Sequence, residues 1–163
     1  MGRGSRVTLG SSDLKDATMN TADHPDIGAT ELGQTMGFRR IIELGAGRAL
    51  FEYEAGRHMC HSGGIVQGGF VTAWIDAVMA HAVISQGDPD VLPLTLEIKV
   101  SYFAAARPGL VHAEAWVERM GRSTSFAEGR LLSPEGEVLA KASSTVRLGS
   151  LARATAASEK AIG

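Results

Sequence analysis

Between Gly69 and Gly87 the chain carries no Lys, Arg or Glu, and its single formal charge is Asp76. A Gly-rich turn, Gly63-Gly64-Ile65-Val66-Gln67-Gly68-Gly69, runs straight into this segment. Apolar residues fall at 70, 71, 74, 75, 78, 79, 82 and 83, the stripe of a helix. A helix with so few charges lacks a normal solvated face and is expected to be buried nearly all round. A buried carboxylate is costly unless it is paired or used. Asp76 is therefore the first candidate for a working residue.

The rest of the chain supplies what could cover such a helix. Residues 30–37 read as a short helix, with Thr30 as N-cap and Gly37 as its stop. Residues 38–44 and 48–55 read as strands joined by Gly45-Ala46-Gly47, a hairpin turn that glycine makes accessible. Residues 57–66 form a loop with two histidines. Beyond the helix the period becomes two. Leu94, Leu96, Ile98, Val100 and Tyr102 alternate with Thr95, Glu97, Lys99 and Ser101 as one half-buried strand. Strands are expected after the Arg107-Pro108-Gly109 turn, over 123–132, and over 138–148 after Ser133-Pro134-Glu135-Gly136. One long apolar helix and six strands imply an α+β fold, a curved antiparallel sheet wrapped around the helix. Dimerisation would cover the remaining edges.

Composition narrows the function. With 163 residues, 44% hydrophobic and 21% charged, the chain suits one soluble domain. A net charge of −2 and scattered basic residues give no footprint for nucleic acid. Residues 1–28 have no apolar signal segment and read as a flexible arm. The apolar helix is too short to span a membrane and carries Asp76. The single Cys60 excludes an intrachain disulfide and fits a reducing compartment, so a cytoplasmic location is expected. Residues 29–148 form the domain, and 149–163 an Ala-rich tail, either disordered or a short helix.

Gly64-Ile65-Val66-Gln67-Gly68-Gly69, with Asp76 seven residues after the last glycine, resembles the hot-dog-fold acyl-CoA thioesterases of the phenylacetate-pathway type. Their pattern is a Gly, two residues, His-Gly-Gly, and an acidic residue seven positions on. The strand after the helix, the Pro108-Gly109 turn, Gly121-Arg122-Ser123-Thr124 and the run from Glu135 to Ala140 carry the resemblance further, over residues 30–148. Gln67 stands where the family most often has His, and His61 near where an Asn is common. Gln keeps hydrogen-bonding capacity but has no titratable ring.

The resemblance implies hydrolysis of an acyl- or aryl-acyl-CoA thioester without metal or redox cofactor. The backbone N–H of Gly68, at a helix N-terminus, would polarise the thioester carbonyl. Asp76 would act as general base or as nucleophile, and both roles stay open. Gln67 is given a pocket role beside its alternative as a plain helix cap. Gly69, His61, Ser123 and Thr124 would contact substrate, the last two on the coenzyme A arm. Arg107, Arg122 and Arg147 are unranked candidates for phosphate contacts. The family's Asp faces the pocket across a dimer interface, so a homodimer or homotetramer is expected.

Other motifs carry less. His58 and His61 lie three apart on a loop, with no third or fourth metal ligand in sight, and one of them is expected at the pocket mouth. His81 lies about 140° round the helix from Asp76, so it is read as a packing or interface residue. Cys60 lacks the neighbours of a nucleophile. Trp74 and Met79 are expected to pack on the sheet. The glycines lack the Lys-Ser/Thr of a phosphate loop. Two rival readings share the fold: a non-catalytic acyl-CoA-binding protein, and a hydratase or dehydratase.

Overall fold

The computed structural model describes residues 27–86 and 88–162. The arm expected over 1–28 lies outside them except for Ile27 and Gly28, which open a 3-10 turn, Ile27–Ala29. Gly87, expected in the turn after the helix, also lies outside.

Helix α1 (Glu31–Thr35) is capped by Thr30, whose hydroxyl accepts from the Gly33 N–H at 2.9 Å. It stops at Gly37, whose φ of +66° suits glycine. Strands β1 (Phe38–Gly45) and β2 (Arg48–Ala55) form the expected hairpin. Its two-residue loop, Ala46-Gly47, has positive φ at both positions, which matches the twist of the flanking strands. Strands β3 (Val91–Tyr102), β4 (Gly109–Met120), β5 (Thr124–Leu132) and β6 (Val138–Ser150) complete one antiparallel sheet in the order β1-β2-β4-β5-β6-β3. The tail forms helix α3 (Leu151–Ile162), tied to the start of β3 by the Asp90 carboxylate, which accepts from the Ala152 N–H at 2.9 Å.

The central helix α2 (Gly68–Ile84) lies in the concave face of this sheet. It begins two residues earlier than the apolar stripe suggests. Val71, Trp74, Ile75, Val78, Met79, Ala82 and Val83 are fully buried. Each large apolar side chain so buried contributes roughly 1.5–3 kcal/mol. Trp74 stacks on Tyr53 at 5.8 Å and donates its indole N–H to the Met36 carbonyl at 2.8 Å. Met79 packs over Gly129 of β5, where an added Cβ would stand 2.7 Å from Ile75 Cγ2. His81 packs as expected, its ring 5.0 Å from that of Phe51. The expectation of burial all round needs correction. The opposite face, with Phe70, Thr72, Ala73, Asp76, Ala77 and Ala80, is only half-buried in one chain. The sheet wraps one side of the helix and stops at its edge strands.

Strand β3 departs most from simple alternation. Thr95 pairs with Val146 and Glu97 with Thr145, so Leu96 is an extra residue, a β-bulge. A bulge inverts the parity of side chains on either side of it. Ile98 and Val100 pack against the core, but Leu94 and Leu96 are exposed rather than half-buried, as are Tyr102 and Phe103. β3 is also an edge strand, consistent with Pro93 inside it. No helix among the described residues is long and apolar enough to cross a membrane.

Candidate active site

The start of α2 is built by three neighbouring segments. The loop before it folds back on itself: Cys60 and Val66 form an antiparallel bridge, and Gly64 takes a φ of +65°, which glycine tolerates. The Val66 N–H donates to the Ala106 carbonyl at 2.9 Å, and the Gln67 N–H to Met59 at 2.9 Å. These bonds fix Gln67 as an extended N-cap residue.

The first turn of any helix has amides without intrahelical partners. Here the Phe70 N–H donates to the Gln67 carbonyl at 3.0 Å. The Gly69 N–H donates to Gln67 Oε1 at 2.5 Å. Among the described residues the Gly68 N–H has no partner. It borders a cleft of about 590 Å³, lined by Ile65, Val66, Val71, Phe103 and the Ala104–Ala106 run, with Gln67 and Tyr102 at its polar end. This is an apolar cleft ending at a free helix-terminal amide.

Asp76 stands two turns further on, half-buried on the face of α2 that the sheet leaves uncovered. Its Oδ1 accepts from the Thr95 hydroxyl at 2.8 Å. No Lys, Arg or His pairs with it among the described residues. Strict alternation along β3 would put Thr95 on the face opposite Tyr102, seven residues on. The bulge at Leu96 brings both to the helix. Thr95 is a site neighbour that sequence reading missed, since a bulge has no dependable sequence signal. Tyr102 was visible only as one member of an apolar alternation. Its hydroxyl lies 3.0 Å from the Gly68 carbonyl oxygen and 2.7 Å from Thr72 Oγ1.

The remaining candidates are dispersed in one chain. His61 is exposed on the loop before α2, where its Nδ1 accepts from the Gly63 N–H at 3.2 Å. His58 and His61 have no further ligating residue grouped with them among the described residues. Ser123 and Thr124 lie at the other end of the molecule. Thr124 pairs with Arg147 of β6, whereas Tyr102 pairs with Ala140. Those two positions on β6 are about 23 Å apart along the strand. Arg122 there borders a groove at the C-terminal end of α2, while Arg107 follows Ala106 at the cleft. Cys60 is partly buried, its thiol 3.6 Å from the Gly56 carbonyl.

Comparison with known proteins agrees with this architecture. The thioesterase superfamily pattern matches residues 63–140. A putative thioesterase from Ralstonia eutropha JMP134, related to phenylacetic acid degradation, is 30% identical, with a TM-score of 0.66 over 71% of this chain and 88% of that one. The conserved protein PA5202 from Pseudomonas aeruginosa is 25% identical, with a TM-score of 0.69 over 76% of this chain and 97% of that one. The smu.793 protein of Streptococcus mutans, solved bound to acetyl CoA, shares the fold at 18% identity, with a TM-score of 0.64 over 69% and 89%. No curated protein matches the chain. The chain belongs to the thioesterase superfamily, and its six-stranded antiparallel sheet around one central helix is the hot-dog fold.

Proposed function

We propose that this protein hydrolyses an acyl- or aryl-acyl-CoA thioester to the free acid and coenzyme A. The observation that carries the reading is the single unpartnered first-turn amide, Gly68 N–H, at the end of an apolar cleft. Such an amide, reinforced by the positive end of the α2 dipole, stabilises the oxyanion that forms when the thioester carbonyl is attacked. Asp76 is the carboxylate of the reaction. It either takes a proton from the attacking water or attacks the carbonyl itself to give an anhydride that water then opens. Thr95 orients it. Gln67 and Gly69 shape the end of the cleft, His61 meets substrate at its mouth, and Ser123 and Thr124 contact the coenzyme A arm. Family membership supports thioester chemistry, and the acetyl CoA held by the Streptococcus mutans protein supports the ligand class.

Distance supports a homodimer as the active unit. Eight residues of α-helix separate Gly68 from Asp76, about 12 Å along the axis. That exceeds the reach of one water bridging a base to a carbonyl held by the Gly68 amide. The half-buried Asp76 face and the exposed apolar edge of β3 are the surfaces a second copy would cover. In that dimer each site takes Gly68 from one subunit and Asp76 from the other, and two such dimers could pair as a tetramer.

The test is loss of thioester ultraviolet absorbance across a panel of acyl-CoAs, for wild type and Asp76→Asn. Direct absorbance avoids thiol reagents that Cys60 would consume. Turnover of at least one thioester by wild type, with loss of about a hundredfold or more in Asp76→Asn, is the expected result. A second reading, a non-catalytic acyl-CoA-binding protein, is favoured by one observation: the Gln67 side chain is engaged as a cap. Binding of acyl-CoA with no turnover of any thioester would establish it instead.

A further inference from the structure

Helix α2 opens with two consecutive glycines, Gly68 and Gly69. Glycine is the residue least confined by its own backbone, and first turns are where helices fray. An oxyanion donor is effective only when it is aimed before the reaction begins. Something outside the glycines must therefore hold them.

Two side chains do so, from opposite directions. Gln67 Oε1 accepts from the Gly69 N–H. Tyr102, from the C-terminal end of β3, places its hydroxyl 3.0 Å from the Gly68 carbonyl oxygen and 2.7 Å from Thr72 Oγ1, which is itself 2.9 Å from the same carbonyl. Each hydroxyl has one proton, so two of these three contacts are donated hydrogen bonds at any moment. The hydroxyl end of the phenol also packs closely against residue 68. A Cβ there would stand 3.1 Å from the Tyr102 oxygen and 3.2 Å from Cζ, so glycine is what admits the ring so close.

Tyr102 is 53% exposed, so it has little part in the core. Its strand is paired along its length with β6, a rigid base from which to hold a loosely determined turn. We propose that Tyr102 is a positioning residue for the thioesterase reaction: it clamps the carbonyl of the Gly68–Gly69 peptide and so fixes the backbone about Gly68, which keeps the Gly68 N–H, on the adjoining peptide, aimed into the cleft. The proposal rests on the thioesterase reading above.

The test compares wild type with Tyr102→Phe, which keeps the ring and removes the hydroxyl. Steady-state hydrolysis of the best thioester is measured well below the melting temperature of both proteins. Two ligands are titrated as well: a thioether analogue of the substrate, and a trifluoromethyl ketone analogue whose adduct carries an oxyanion-like oxygen. The expected result is a kcat about tenfold lower with KM within about twofold. The ketone should lose affinity by a similar factor, the thioether should not, and the melting temperature should hold. Unchanged kcat in an active protein overturns the proposal alone. So does a raised KM with kcat intact, or equal loss of both analogues, since each marks a plain substrate contact. A wild type that hydrolyses no thioester overturns the underlying reading and this proposal with it.

Discussion

The Thr95 hydroxyl donates a 2.8 Å hydrogen bond to Asp76 Oδ1, joining the edge strand of the sheet to the one carboxylate of the central helix. The contact exists because the bulge at Leu96 turns Thr95 toward α2. A carboxylate held through one oxygen keeps the other available, the arrangement a base or nucleophile needs. Thr95→Val removes the donor and keeps the shape. We expect kcat to fall about tenfold, the value of one hydrogen bond to a charged group. Thermal melting should change little. Steady-state kinetics and calorimetry check both, and an unchanged kcat would remove Thr95 from the site.

Gln67 is both the residue in the family's histidine position and the N-cap of α2. Losing a side-chain cap costs about 1 kcal/mol. Gln67→Ala should therefore lower the melting temperature by about 2–4 °C for a chain of this size. No change in melting would mean that the cap is dispensable and that the side chain is free to serve substrate instead.

The outer face of the sheet has its own pH dependence. Glu52 accepts two hydrogen bonds from Arg40, at 3.0 and 3.1 Å, and lies 3.1 Å from His112 Nε2. The Arg40 guanidinium first, then His112, holds the Glu52 carboxyl down to about 2, from an ordinary 4.5. A group held below its unfolded value stabilises the fold above that value and loses the contribution as pH falls through the folded one. Glu52→Gln should thus melt lower than wild type at pH 7. The gap should close between about pH 4.5 and pH 2. Melting curves across that range decide it, and a gap that stays constant would show that the charge of Glu52 contributes nothing.

The sequence carried the helix and the strands because their periods differ. The run after Gly69, with Asp76 its single charge, has the apolar stripe of a helix, and β2 and the middle of β4 alternate with one face inward. Thr30 and Gly37 marked the ends of α1 by cap chemistry alone. The start of α2 was less legible because glycine is a poor helix former and Gln is not among the strong cap residues. The surroundings of the site were hidden for a topological reason. β3 follows α2 in sequence but pairs with β6 rather than β4. Which of its residues meet the helix depends on that pairing and on the extra residue at Leu96, and neither is a local property. Asp76 stood out as a lone charge, and Gly68 through the family resemblance that its glycine pair carries; both are visible without the fold. Thr95 and Tyr102 matter only through where the sheet puts them.

In the proposed dimer, Gly68 and Asp76 act on one thioester from different subunits. It is tested by mixing two inactive variants. Asp76→Asn removes the carboxylate. Gly68→Pro removes the amide N–H at a first helical position, and its Cβ also displaces Tyr102 of the same subunit, so that subunit loses only its own Gly68 half of a site. Co-expressed in equal amounts, they form mixed dimers in which one of the two sites has both groups intact. The mixture should recover about a quarter of wild-type activity, as random pairing of a two-fold symmetric dimer requires. A mixture as inactive as its parents, with mixed dimers demonstrably present, would contradict it.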